Sequence, residues 1–143
     1  MTKKGFLEEI EIGTLLPSLI KEPAREQVEG FCKAVNLGFN FFLDSDIARK
    51  KGLPGPIVPG DISFCFIVQT LTHAFPNATL KEIKVNFRNV VRHGDRLTCQ
   101  GIVTEKGENE EGTYIECDLF IENQRKERTL TGRAKLLIVR SKE

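Results

Sequence analysis

The stretch from Asp61 to Phe75, DISFCFIVQTLTHAF, sets the terms for everything around it. Its apolar residues fall on every side of the segment, so periodicity alone leaves helix and strand open. Its length, an Asp start straight after Pro59-Gly60 and a stop at Pro76-Asn77 favour a helix. A helix that is hydrophobic all round has to be buried all round. Something else in the chain must therefore wrap it.

The wrapper follows at once. Ile83, Val85 and Phe87 alternate with Lys84, Asn86 and Arg88; Leu97, Cys99 and Val103 alternate with Thr98, Gln100 and Thr104. Ile115, Cys117, Leu119 and Ile121 alternate with Glu116 and Asp118, and Leu130, Ala134, Leu136 and Ile138 with Thr131, Arg133 and Lys135. Four period-two strands joined by HGD, KGENEEG and ENQRKE turns predict an antiparallel sheet with one buried face. A long, curved antiparallel sheet wrapped around a buried central helix is the hot-dog arrangement, an α+β fold. With no internal repeat or linker, residues 1–143 are expected to form one such domain.

Upstream, EIGTLLPSLI reads as an extended segment, with Pro17 barring a helix. From Pro23, a residue suited to the first helical position, Val28, Phe31, Cys32 and Val35 recur on one stripe. That predicts an amphipathic helix over 23–35, ended near Asn36 and Gly38. The next stretch, GFNFFLDSDIARKKG, carries Phe39, Phe41 and Phe42, too many aromatics for a solvent loop. Asp44 or Ser45 can cap a two-turn helix that stops at Gly52. LPGPIVPG then forces an irregular, tight crossing into the apolar helix.

Composition narrows the function classes. A formal net charge of +1 gives no electrostatic reason to invoke nucleic acid or an anionic membrane. The basic runs Arg49–Lys51 and Arg125–Arg128 have acids within or close to them and read as solvated surface. Cys32, Cys65, Cys99 and Cys117 form no CxxC, have no nearby histidine and read as small buried hydrophobes, so no metal site is expected. MTKKGFLEEIEIG lacks an apolar run and a cleavage site, and no segment approaches the ~20 apolar residues of a membrane span. A cytoplasmic location is the default expectation.

Three stretches carry a family resemblance: FCKAVNLGFNFFLDSDIARKKG at 31–52, GPIVPGD at 55–61 and VNFRNVVRHGDRL at 85–97. With the order of elements, they resemble the MaoC-like hydratases and dehydratases of acyl thioesters over nearly the whole chain. The active branch of that family reads like FAxxSGDxNPIHxDxxxAxxxG in the first stretch. Set against it without gaps from Phe31, Asp44, Ala48 and Gly52 fall in place. The position of the catalytic aspartate is then Leu37, that of the histidine Phe42, and that of the intervening asparagine Phe39. Phe42-Leu43-Asp44 is closer to the amino-terminal, often non-catalytic hot-dog type. The resemblance implies a pocket for a fatty-acyl or related thioester, with pantetheine entering between two subunits and hydratase chemistry done elsewhere. It also places an oxyanion-binding backbone N–H at Gly60.

Hydration of an enoyl thioester needs a base, an acid and donors for the enolate oxygen. Neither Leu37 nor Phe42 can hold or move a proton. The substitutes within the same stretch are Asp61, Asp44 and Asn40. Asp61 is either a helix cap or, as in some hot-dog thioesterases, a base or nucleophile. Asp44 reads first as a cap, and Asn36 and Asn40 as loop residues. Leu37, Phe39, Phe41 and Phe42 are the candidate acyl-pocket lining, and Arg88, Arg92 and Arg96 the candidate contacts for coenzyme A phosphates. His93 is expected exposed in a hairpin, and His73 near a helix end with no visible partner. No cofactor is expected beyond a coenzyme A or carrier-protein thioester as ligand. The expected partner is a homodimer mate or a dyad-bearing hot dog. Three activities stay open: a binding half, a hydratase or dehydratase with substitute residues, and a thioesterase using Asp61.

Overall fold

The computed structural model describes residues 10–38 and 40–139. In chain order these form β1 (Leu19–Lys21), α1 (Arg25–Ala34), α2 (Ser45–Lys50), α3 (Gly60–Ala74), β2 (Thr79–Phe87), β3 (Leu97–Glu108), β4 (Gly112–Glu122) and β5 (Arg128–Val139). The strands build one antiparallel sheet in the order β1-β3-β4-β5-β2. The alternation read from the sequence is the pleat. Leu97, Cys99, Val103, Cys117, Leu119, Ile121, Leu130, Ala134 and Leu136 are all buried, and they share one core with Ile62, Phe66, Ile67 and Leu71 of α3. Ile67 and Leu71 have no exposed surface, and each such side chain is worth about 1.5–3 kcal/mol of burial. Register shifts at Leu80/Glu82, Val103/Glu105 and Ile121/Glu122 bend the strands. The sheet curves over the helix as a hot dog.

Turn chemistry sets the hairpins. The Asn109 carboxamide oxygen accepts from the N–H groups of Glu111 and Gly112, closing β3 onto β4. That of Asn123 accepts from Arg125 and Glu127, closing β4 onto β5. The extended segment at 10–21 runs beside β3: the Gly13 N–H donates to Val103 O at 2.7 Å and the Val103 N–H to Thr14 O at 2.9 Å.

Four expectations need correction. The HGD turn is not a hairpin, because β2 pairs with β5 and the chain crosses the sheet to reach β3. Helix α1 begins at Arg25, so Pro23 lies ahead of its cap; the Pro23 carbonyl accepts from the Gly94 N–H instead. On the same helix Val35 is half exposed, beyond the last turn. Helix α3 is not buried all round: Asp61, Cys65, Gln69, Thr72 and His73 face outward along one side. The sheet covers only the opposite side, so Cys65 is not the buried hydrophobe expected of it. Among the described residues no helix is long and apolar enough to cross a membrane.

Candidate functional site

Leu37 is placed by the way α1 ends. Asn36 adopts φ 61°, the left-handed conformation that asparagine tolerates better than most residues. The Asn36 N–H then donates to Lys33 O and the Leu37 N–H to Cys32 O at 2.8 Å, a pair of hydrogen bonds that satisfies two of the helix's last carbonyls. Helix α2 ends the same way at Gly52, φ 83°, with Gly52 N–H to Arg49 O and Leu53 N–H to Ala48 O. Between these two ends the loop is tied by short polar side chains. The Asn40 carboxamide donates to Gly38 O and accepts from the Phe42 N–H, and the Asp44 carboxylate accepts from the Ile47 N–H. Phe39 lies outside the described residues.

The crossing that follows is pinned by the Val58 N–H, which donates to Val91 O at 2.7 Å, and by an isolated bridge between Ile57 and Arg92. Pro59 then delivers the chain to α3 with no side-chain cap. The N–H groups of Gly60 and Asp61 belong to a first turn that has no intrahelical acceptor for them, at the positive end of the helix dipole. Around this terminus lies a cavity of about 520 Å³. Leu37, Phe42, Phe31, Ile57, Val58, Val91 and Phe87 give it an apolar wall, and Asp61, Ser63, Arg88, Asn89 and Thr129 supply its polar groups. Phe87, from the end of β2, packs directly on Gly60.

The structure thus brings Leu37, Phe42, Gly60, Asp61 and Arg88 to one cavity, and leaves other candidates outside it. Asn40 and Asp44 spend their side chains on turn and cap. Phe41 packs on Phe42 with the rings tilted at 52° and their centroids 4.4 Å apart, but is not part of the cavity wall. Asp61 is exposed at the rim, and the capping role expected of it is not realised. Ser63 and Phe87 were missed. Ser63 sits two residues after Asp61 in an apolar run, with nothing in sequence to say which side it faces. Phe87 looks like one more inward strand residue, yet it is 56% exposed because β2 is the sheet edge.

The three arginines separate. The Arg88 guanidinium donates to the Thr131 hydroxyl at 3.1 Å, while Arg96 is held through its backbone N–H on Gln124. Arg92 opens onto a second cleft of about 400 Å³ that shares Asn89 and Val90 with the cavity. There Arg125, from a run read as plain surface, stands with Arg92 and Glu127. Behind it Asp95, 3% exposed, accepts from the Arg92 N–H, the Gln124 side chain and Arg125. Burial pushes the Asp95 carboxyl up, but hydrogen bonds from Gln124 and Arg92 and the Arg125 charge outweigh it and hold it below its ordinary value. His93, expected to be solvent-exposed, is half-buried with its Nε2 shielded and unpaired. Among the described residues no cluster of three or more His, Cys, Asp or Glu could hold a metal ion.

Chemically, the cavity can take an apolar chain and offer backbone N–H groups to a carbonyl oxygen. It presents no proton carrier at positions 37 and 42. The profile of the MaoC like domain matches residues 39–120, more than half of the chain. No curated protein sequence matches it. Among solved structures, a MaoC-like dehydratase from Rhodospirillum rubrum is 20% identical, with 96% of this chain and 99% of that one covered at a TM-score of 0.82. An (R)-hydratase from A. caviae involved in PHA biosynthesis is 21% identical, covering 92% and 98% at 0.80. The ChsH1–ChsH2 complex from Mycobacterium tuberculosis gives 19% identity, 90% and 98% coverage and 0.76. At such identities these likenesses speak for the fold.

Proposed function

The chain belongs to the family of MaoC-like domains, and from that premise we propose that it is the acyl-thioester-binding half of a hydratase or dehydratase whose acid–base pair is supplied by a second hot-dog subunit. One observation carries the reading: the two places where the family's active branch keeps its proton carriers are hydrocarbon, and both line the same cavity as Gly60. Loss of general acid–base help removes ~10²–10⁴-fold in rate, whereas an apolar wall around a helix N-terminus still suits binding. A neighbour is supported by three large apolar residues at the cavity wall, Leu37 at 42%, Phe87 at 56% and Val90 at 39% exposure, beside the unpaired edge of β2. The likeness to an (R)-hydratase and to a two-protein complex is consistent with such an assembly. The setting we infer is fatty-acyl thioester metabolism in the cytoplasm.

A second reading, a thioesterase, is favoured by one detail. Asp61 makes no capping hydrogen bond, is exposed and lines the cavity beside Gly60, where a carboxylate base would stand. A hydratase built on Asn40 and Asp44 has less support, since both side chains are engaged elsewhere. The purified protein should be mixed with crotonyl-CoA and a longer enoyl-CoA while enoyl absorbance, free thiol and bound ligand are followed. Binding without turnover is the expected result. Hydration by the protein alone would overturn the reading, and thiol release abolished by Asp61→Asn would replace it with the second.

A further inference from the structure

Helix α3 carries three hydroxyl side chains, Ser63, Thr70 and Thr72. Two of them bond within the helix itself: the Thr70 hydroxyl donates to Phe66 O at 2.9 Å and that of Thr72 to Gln69 O at 3.2 Å. Ser63 makes no such bond. The residue is only 3% exposed, yet its hydroxyl has no hydrogen-bond partner among the described residues. The other polar side chains of the cavity wall are engaged or open to water. Arg88 donates to the Thr131 hydroxyl, Asn89 to Arg128 O and Thr129 to Ile121 O, while Asp61 stands at the exposed rim. Among the described residues, Ser63 is therefore the buried polar side chain of this cavity with nothing to bond. Burying a hydroxyl unpaired is unfavourable. A ligand that supplies the missing partner is favoured over an analogue that lacks it.

The place of Ser63 on the helix says where on the ligand that partner lies. Gly60 and Ser63 stand three residues apart on α3, hence on one face, with about 4.5 Å of rise between them. With a thioester carbonyl at the Gly60 N–H, a span of that size reaches a substituent on the third carbon of the acyl chain. Leu37 and Phe42 offer such a substituent only hydrocarbon. We propose that Ser63 is a specificity-determining residue whose hydroxyl bonds an oxygen on that carbon, so that the cavity selects acyl chains oxygenated there over saturated and enoyl ones. The idea rests on the acyl-thioester reading and deepens it by naming the chain. A serine hydroxyl donates to a keto oxygen, and donates to or accepts from a hydroxyl. Chains with a 3-oxo or a 3-hydroxy group are therefore both admitted, whereas saturated and enoyl chains leave Ser63 stranded.

The test compares butyryl-CoA, crotonyl-CoA, 3-hydroxybutyryl-CoA and acetoacetyl-CoA by calorimetry on the full chain and on Ser63→Ala. The oxygenated esters should bind about tenfold more tightly than the other two, the size of one hydrogen bond to a buried donor. Ser63→Ala should erase that advantage and leave butyryl-CoA affinity unchanged, a difference between ligands that a purely structural serine would not produce. Ser63→Cys, close in size but a weak donor, is the second variant and should behave as the alanine does. Neither variant should melt below the parent, since the hydroxyl removed has no partner to lose; a clear fall would place its bond within the fold and overturn the proposal. A gain for the hydroxy ester, the oxo ester or both, lost in the variants, supports the site and identifies its ligand. Equal affinity of all four esters, or an advantage that survives both variants, overturns the proposal while leaving the acyl-binding reading intact. Failure of all four to bind overturns both.

Discussion

The ring of Phe87 packs so closely on Gly60 that a Cβ placed there would stand 2.9 Å from Cζ and 3.0 Å from Cε1. The edge strand of the sheet thereby meets the first residue of the central helix at the wall of the cavity. Gly60→Ala forces the ring aside. The ring is more than half exposed and can move, so the stability cost should be small, about 1 kcal/mol, at the low end for overpacking. Binding should suffer more, by about tenfold, because the ring is displaced across the cavity. Thermal melting and titration with butyryl-CoA separate the two effects. Unchanged affinity would mean that Phe87 does not shape the site.

Installing proton carriers should create activity. Leu37→Asp combined with Phe42→His is expected to raise crotonyl-CoA hydration on the order of 10²-fold over the unmodified chain. Either change alone should do little, since acid and base act as a unit. Leu37 is 42% exposed and Phe42 half-buried, so neither new side chain is sealed from water. A double variant that folds, binds butyryl-CoA and still fails to hydrate would show that the cavity lacks more than its acid–base pair.

Asp95 predicts an acid-sensitive clamp between the loop that follows β2 and the β4–β5 turn. Its carboxyl titrates below the ordinary value in the folded chain, so its contribution is full above the unfolded value near 3.8 and is lost as pH falls through the folded one. Asp95→Asn should cost about 1–3 kcal/mol at neutral pH by stranding its donors. The gap from the parent chain should narrow below about pH 4. A gap independent of pH would refute the clamp.

The Glu105–Glu116 pair works with the opposite sign. A hydrogen bond between the two carboxyls, and then their mutual repulsion, raise Glu105 above its ordinary value. The folded chain therefore holds that proton more tightly than the unfolded chain, and stability falls as pH rises through the shifted value. Glu105→Gln should melt higher than the parent at pH 7 and at the same temperature in acid below both values. Parallel melting curves at two pH values check it.

Thiol chemistry should single out one cysteine. Cys65 is exposed, whereas Cys32, Cys99 and Cys117 are buried, and burial pushes the thiols of Cys99 and Cys117 up to about 11 and about 12. A thiol reagent at neutral pH should label Cys65 quickly and the rest only on unfolding. Slow labelling of Cys65 would indicate that a second subunit covers the open side of α3.

The sheet was legible because a pleat has period two, and Ile115 to Ile121 or Leu130 to Leu136 cannot hide it. Strand order was not, because nothing in residues 79–87 says that their neighbour is β5 rather than β3. The open side of α3 was misread for a related reason. Apolar Phe64 and Val68 share the exposed stretch with Cys65, yet both are only half-buried in the single chain. In the site, Leu37, Phe42 and Gly60 were singled out by the family resemblance, and the structure brings all three to one cavity. Arg125 could not be singled out, because its value lies in contacts with Asp95, thirty residues away.

Position 37 also has a wider meaning. Its backbone N–H is tied to Cys32, its predecessor Asn36 carries the unusual dihedral, and the loop beyond is closed by Asn40 and Asp44. None of these ties uses the side chain at 37. The position behaves as a socket whose wiring is independent of what is plugged into it. The side chain there can be exchanged without disturbing any of these ties. A new property at that spot is a change of fitting rather than of architecture.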